Sequence, residues 1–112
     1  MDGRADSGTD AFHELAVLCK ALADADRLHI LRLLAGGERS AGEVEAATGL
    51  SPAAAGLHLD QLVDAGIVRR RQAGTLRYYA LSGAARTTAD GAVEFARGGT
   101  AVRVAGAWGK RT

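Results

Sequence analysis

Hydrophobic positions recur at helical spacing over most of the first half of this chain, then give way to a short extended stretch, and the changeovers fall at serines, glycines and a single proline. Phe12, Leu15, Cys19 and Leu22 form a stripe with Glu14 and Lys20 off it, which predicts an amphipathic first helix. Asp24 is placed to accept from the free amides of a second helix. There Leu28, Ile30, Leu31, Leu33 and Leu34 make the most apolar stretch of the chain, the expected centre of the core, before Gly36-Gly37 ends it. A third helix starts at Ser40 with Glu43 three residues on, the capping-box spacing in which each side chain satisfies a free amide of the other; Gly49 then supplies a turn. The fourth helix opens with Ser51 as cap and Pro52 in the first turn, where a missing amide costs nothing, and is expected to run to Gly66. Steps of 100° put Ala55, Leu59, Leu62 and Val63 on its inner face and Ala53, Ala54, Leu57, Asp60 and Gln61 on its outer face.

Ile67 to Gln72 and Thr75 to Leu81 read as extended, with Tyr78 and Tyr79 as strand formers and Ala73-Gly74 as the turn. Ser82 then caps an expected fifth helix reaching about Arg97, weakened by Thr87, Thr88 and Gly91. The fold class is therefore mainly α with a small β-hairpin, and the third and fourth helices with their Gly turn have a helix-turn-helix layout. The expected organisation is a mobile polar leader over 1–10, one domain over 11–97, and a Gly-rich tail over 98–112 whose apolar residues are chiefly Val102, Val104 and Trp108.

A chain of 112 residues predicts a single domain that buries roughly two thirds of its unfolded surface. Hydrophobic residues make up 47% but aromatics only 4%, so the core leans on Ala and Leu, and such a core is often completed by a partner chain. The net charge of +1 does not announce a nucleic-acid binder, which moves the argument to where the charges lie. Asp2, Asp6 and Asp10 acidify the N-terminus, whereas Arg69, Arg70, Arg71 and Arg77 flank Ala73-Gly74 in a segment with no acidic residue. Such a hairpin suits a phosphate backbone. One cysteine excludes an intrachain disulfide framework, and with neither a signal-peptide stretch nor a membrane-length apolar run the expectation is a soluble, cytoplasmic protein without a membrane partner.

The candidate DNA contacts follow from these placements. Ser51, with the helix N-terminus behind it, suits a phosphate; His58 and Gln61 could each reach a base edge; Ala53, Ala54 and Leu57 could lie on thymine methyls. Arg69, Arg70, Arg71, Thr75 and Arg77 form the ribbon's contribution. If four arginines per chain each neutralise a phosphate in a dimer, log K should fall with log salt at a slope near about −7. The same Ala-rich face could instead pack on a protein partner, and some of the arginines could simply be solvated. Cys19 reads as a small buried hydrophobe, with a sensor thiol or a symmetric disulfide as the sharper alternatives. His13, His29 and His58 lie on three helices without ligand spacing; His13 with Asp10 or Glu14 is the best metal candidate, and Asp90 with Glu94 the next. Such ligands would suit nickel or zinc. No Asp or Glu is arranged to orient His58 toward Ser51, so catalysis has little support and no enzyme is expected.

Leu22-Ala23-Asp24-Ala25-Asp26-Arg27-Leu28-His29-Ile30-Leu31, Leu50-Ser51, His58-Leu59, Asp64-Ala65-Gly66-Ile67-Val68 and Tyr78-Tyr79-Ala80-Leu81 together resemble the ArsR/SmtB family of winged-helix regulators over about residues 12–96. Ala25 and Asp26 stand where the family pattern has Pro and Thr. The resemblance implies a homodimeric repressor joined through its first and fifth helices, which points to Phe12, Leu15, Cys19, Val93 and Phe95 as interface residues. It further implies recognition helices in successive major grooves of an operator with an imperfect inverted repeat, about 34–36 Å apart. Family members are commonly released from their operator by an inducer, often a metal. The family's Cys-x-Cys site on the third helix has no counterpart between Ser40 and Thr48, and its fifth-helix Asp/His site keeps only Asp90 and Glu94. Two rival readings stand beside a DNA-binding repressor: a direct nickel or zinc sensor with a nonstandard His/carboxylate site, and a winged-helix protein-interaction module.

Overall fold

The computed structural model describes residues 7–105, with side chains described from Asp10 onward. Four helices come first: α1 Ser7–Leu22, α2 Ala25–Ala35, α3 Ala41–Thr48 and α4 Pro52–Asp64, with a two-residue strand, β1 Arg39–Ser40, between α2 and α3. Five strands follow: β2 Val68–Ala73, β3 Leu76–Leu81, β4 Ala85–Thr87, β5 Val93–Arg97 and β6 Thr100–Val104. They make two antiparallel sheets, ordered β1-β3-β2 and β4-β5-β6.

Local chemistry fixes the helix starts. Asp24 accepts from the amides of Asp26 and Arg27, Ser40 and Glu43 make both halves of a capping box, and Ser51 accepts from the Ala54 amide ahead of Pro52. Gly49 closes α3 with φ of 76°, a left-handed conformation that costs glycine little. The core gathers Ile30, Leu31 and Leu34 of α2 with Leu18, Val44, Leu59, Leu62, Ile67 and Tyr79. As expected, α2 sits at its centre, and Ala55, Leu59 and Leu62 are the inward face of α4.

α1 differs in its orientation. Its buried residues are Leu18 and Ala21, while Phe12 is 74% exposed and Cys19 is exposed rather than buried. Leu15 and Leu22 sit half-buried at the edge of that stripe. The helical period was right, and the buried face lies to one side of it.

The expected fifth helix is replaced by the second sheet. Asp90-Gly91 makes a turn, with Gly91 at φ 86°, the Gly91 amide donating to Thr88 and the Thr88 amide to Ala92. Glycine in that conformation cannot continue an α-helix. Val93 and Phe95 alternate inward with Glu94 and Ala96 outward, the period of a strand, and β5 pairs with both β4 and β6. Gly98 and Gly99, expected to open a tail, are instead the two central residues of the β5-β6 hairpin, both with positive φ as a type I′ turn requires. Val102 and Val104 lie against the core. The expected leader falls on residues 1–6, outside the described residues, and on the start of α1; Trp108 also lies outside them.

The second sheet holds α1 in place. Arg97 of β5 pairs with Glu14 of α1 and donates from Nη1 to the carbonyl oxygen of Ala65 at 2.8 Å. Val93 and Phe95 are buried within the chain, which removes them as dimer-interface residues: their side chains already have a partner.

Candidate nucleic-acid interface

The β2-β3 hairpin projects from the body. Only Val68 of β2 is buried; Arg69, Arg70, Arg71, Gln72 and Ala73 are exposed, as are Gly74, Thr75, Leu76 and Arg77 beyond them. The turn is one residue further on than the sequence pattern suggested, because Ala73 pairs with Leu76 and leaves Gly74 and Thr75 at its centre. Gly74 has φ of 63° and Thr75 no positive φ, the pattern of a II′ turn.

Two of the four arginines are held by carboxylates. Arg71 grips Glu38 with two nitrogens, Nε to Oε2 at 3.1 Å and Nη2 to Oε1 at 2.8 Å, and its guanidinium lies 4.6 Å from the Tyr78 ring centroid. This pairing holds the Glu38 carboxyl below the usual carboxylate range and raises Arg71 further above neutrality. Arg70 Nη1 donates to Asp60 Oδ1 of α4 at 3.0 Å. Arg69 and Arg77 make no ion pair with any described residue. A guanidinium held by an exposed carboxylate is aimed without being neutralised for good, since such pairs contribute little in water and yield to a phosphate.

The Asp60-Arg70 contact shows which side of α4 the hairpin shares. Ala53, Leu57, Asp60 and Asp64 fall at steps of four, three and four, one stripe along the helix. The end of that stripe and the hairpin enclose a polar groove of about 440 Å³ lined by Asp60, Asp64, Arg70, Gln72 and Arg77. Ser51, Ala53 and Leu57 are exposed and Ala54 half-buried on the first two turns, with Leu57 59% accessible.

His58 and Gln61 are both engaged by a side chain of α2, with His58 half-buried and Gln61 exposed. Arg27, whose role the sequence did not reveal, donates from Nη1 to Gln61 Oε1 at 2.7 Å and lies 3.3 Å from His58 Nδ1. Its Nε and Nη2 reach the carbonyl oxygens of Ala21 and Lys20 at 2.7 and 3.0 Å, closing off the end of α1. One guanidinium therefore ties α1, α2 and α4 together. Arginine has no acceptor, so His58 Nδ1 must be the acceptor of that contact and Nε2 carries the ring proton, 3.7 Å from Asp26 Oδ2. Spacing alone could have suggested Arg27 only weakly: it stands three residues after the Asp24 cap, and its partners lie 31 and 34 residues away.

The metal candidates named from sequence do not come together. Glu14 pairs with Arg97, Glu94 with Arg86 and Asp90 with Arg103; Asp90 and Glu94, expected four apart on one helix face, occupy a turn and a strand. His13 is exposed on α1. The set among the described residues that could approach one ion is Asp24, Asp26 and His58, with ligand atoms within 4.8 Å of one another. That donor set fits a metal poorly. Asp24 already caps α2, the Arg27 amide first among the contacts that lower its pKa, and metal at His58 Nε2 would force a proton onto Nδ1 against the Arg27 guanidinium.

Residues 24–70 match the family described as bacterial regulatory protein, arsR family. Over 83 residues the chain is 39% identical to the HTH-type transcriptional regulator Rv0324 of Mycobacterium tuberculosis, a match that takes in 74% of this chain and 37% of that protein. The chain thus spans little more than a third of that relative's length. Among solved structures it is similar to the homodimeric winged helix-turn-helix DNA-binding domain Mb0332 of Mycobacterium bovis, a fragment of residues 1–100. The two are 38% identical with a TM-score of 0.68, and the match covers 74% of this chain and 77% of the other. The transcriptional repressor BigR of Xylella fastidiosa is 32% identical with a TM-score of 0.62, covering 68% of this chain and 78% of its own. No described helix is long and apolar enough to cross a membrane.

Proposed function

Because this chain belongs to the ArsR family of winged helix-turn-helix transcriptional regulators, we propose that it acts as a homodimeric repressor on operator DNA. In this reading α4 lies in the major groove and the β2-β3 wing lies along the flanking phosphates. Ser51, Ala53, Ala54 and Leu57 meet the groove, while Arg69, Arg70, Arg71, Thr75 and Arg77 meet the backbone. One observation carries this proposal: exposed arginines stand on a ribbon that shares one side of the molecule with the open stripe of α4, joined to it through Asp60 and Arg70.

Two further features support a dimer. Phe12 is 74% exposed and Cys19 open on α1, with Leu15 half-buried beside them, an apolar surface that a second copy would cover. The similar M. bovis domain is described as homodimeric. With α1 as the common element, two copies of α4 would address an imperfect inverted repeat with half-sites about 34–36 Å apart.

Salt dependence tests the reading. Fluorescence anisotropy with a promoter duplex should show log K falling with log salt, the slope becoming shallower by about 1 for each phosphate-bound arginine removed. Arg70→Ala with Arg71→Ala in both protomers should flatten it by about 3 to 4 and weaken binding to every duplex. An unchanged slope would remove the wing from the interface.

A further inference from the structure

The first two turns of α4, where a recognition helix meets base edges, present almost no hydrogen-bonding side chain. His58 Nδ1 and Gln61 Oε1 are both taken by Arg27. Asp60, the next polar residue on the open stripe, is tied to Arg70, and Ser51 Oγ accepts from the Ala54 amide. What remains open toward a groove is Ala53 and Leu57, with Gly56 beside them leaving room for close approach, since a Cβ there would meet nothing within 4 Å. An exposed leucine at 59% accessibility on an otherwise small-residue surface is complementary to an apolar feature of DNA. In the major groove that feature is the C5-methyl group of thymine, which neither cytosine nor uracil carries.

We propose, resting on the DNA-binding reading above, that this protein selects its site by methyl contact: Leu57, with Ala53, reads thymine methyls in each half-site, while Arg27 occupies His58 Nδ1 and Gln61 Oε1. The ligand class is duplex DNA with thymines placed at the recognition positions. Arg27 is the positioning residue that fixes His58 and Gln61 through one acceptor atom of each, and Asp60, paired with Arg70, has its carboxylate at the wing end of the stripe. Charge complementarity favours DNA over an apolar protein partner for this surface, because the same side carries the wing arginines.

The test uses a pool of random-sequence 30-base-pair duplexes carried through rounds of selection with the full chain, followed by resynthesis of the selected duplex with deoxyuridine at single thymines. Selected sequences should share thymines symmetrically placed in the two half-sites, and each replacement by deoxyuridine there should weaken binding about fourfold, the loss expected for one buried methyl. Leu57→Ala, at an exposed helical position that alanine suits, should bring the thymine-to-uracil ratio close to one, while His58→Ala should leave that ratio intact. Selected sites without shared thymines, or equal affinity for both bases with binding otherwise strong, overturn methyl readout and leave the repressor reading standing. Failure to retain any duplex even in dilute buffer overturns both.

Discussion

The sheet β1-β3-β2 sends its long hairpin into solvent, whereas β4-β5-β6 closes down on α1. β2 buries Val68 and then exposes five residues in a row; β5 buries Val93 and Phe95 at alternate positions. Both are three-stranded, antiparallel and turned by glycines with positive φ, yet one delivers cations outward and the other replaces part of the core. The difference lies in the side chains that each backbone presents. A ribbon of consecutive arginines cannot be buried at tolerable cost, so it stays out and finds exposed carboxylates at Glu38 and Asp60. A strand with Val93 and Phe95 on one face gains most by closing over the helix beside it.

This contrast can be broken most severely at Phe95. Phe95→Ala removes a fully buried ring and should lower unfolding stability by about 3–5 kcal/mol in urea titrations, while Arg69→Ala should change it by under about 0.5 kcal/mol. A loss below about 1 kcal/mol at Phe95 would mean that the second sheet does not complete the core.

The two hairpin turns sharpen it next. Gly98 has φ of 56°, and a Cβ there would lie 2.5 Å from Glu14 Cγ, so Gly98→Ala both strains the backbone and pushes Glu14 from Arg97; about 2 kcal/mol of destabilisation is expected. Gly74, with φ of 63° and nothing within 4 Å of the added methyl, should lose only about 1 kcal/mol on the same change. Paired thermal melts check the order, and an equal loss at both would deny that the second hairpin is docked.

The smallest effects are electrostatic. Glu38 on the wing side and Asp90 in the β4-β5 turn both titrate below their ordinary values, Glu38 chiefly through the Arg71 side chain and Asp90 chiefly through the Thr88 hydroxyl, with the Ala92 amide and Arg103 adding. A lowered folded pKa means that the contribution is complete above the ordinary carboxylate range and fades as pH falls through the folded value. In carboxyl NMR titrations, Arg71→Ala should return the Glu38 midpoint toward normal and leave Asp90 alone, and Thr88→Val should do the reverse. If Arg71→Ala moves neither midpoint, the wing pair is not formed in solution.

The same contrast explains what could be read in advance. The wing was legible because its signals are local: Tyr78-Tyr79, a glycine turn and clustered arginines within ten residues. The second sheet also carried local signals, in Asp90-Gly91, Gly98-Gly99 and the alternation of Val93, Phe95, Val102 and Val104. The expected helix rested instead on Ser82 as its cap, but the Ser82 hydroxyl donates to the carbonyl oxygen of Gly66 at 2.6 Å, a partner 16 residues away. β1, only two residues long, has no periodicity to detect; it exists because Arg39 and Ser40 meet Tyr79 and Tyr78 across the fold.

The sequence alone determined where α2, α3 and α4 begin, which face of α4 turns inward and where the arginine ribbon lies, since caps, helical period and turns act over a few residues. Tertiary structure alone decided that Phe95 is core, that Arg27 engages His58 and Gln61, and that Asp60 meets Arg70. Those partners lie between 10 and 34 residues apart, and Glu14 meets Arg97 across 83. At such separations it is the path of the chain, set by burial of apolar surface as a whole, that chooses which polar groups meet.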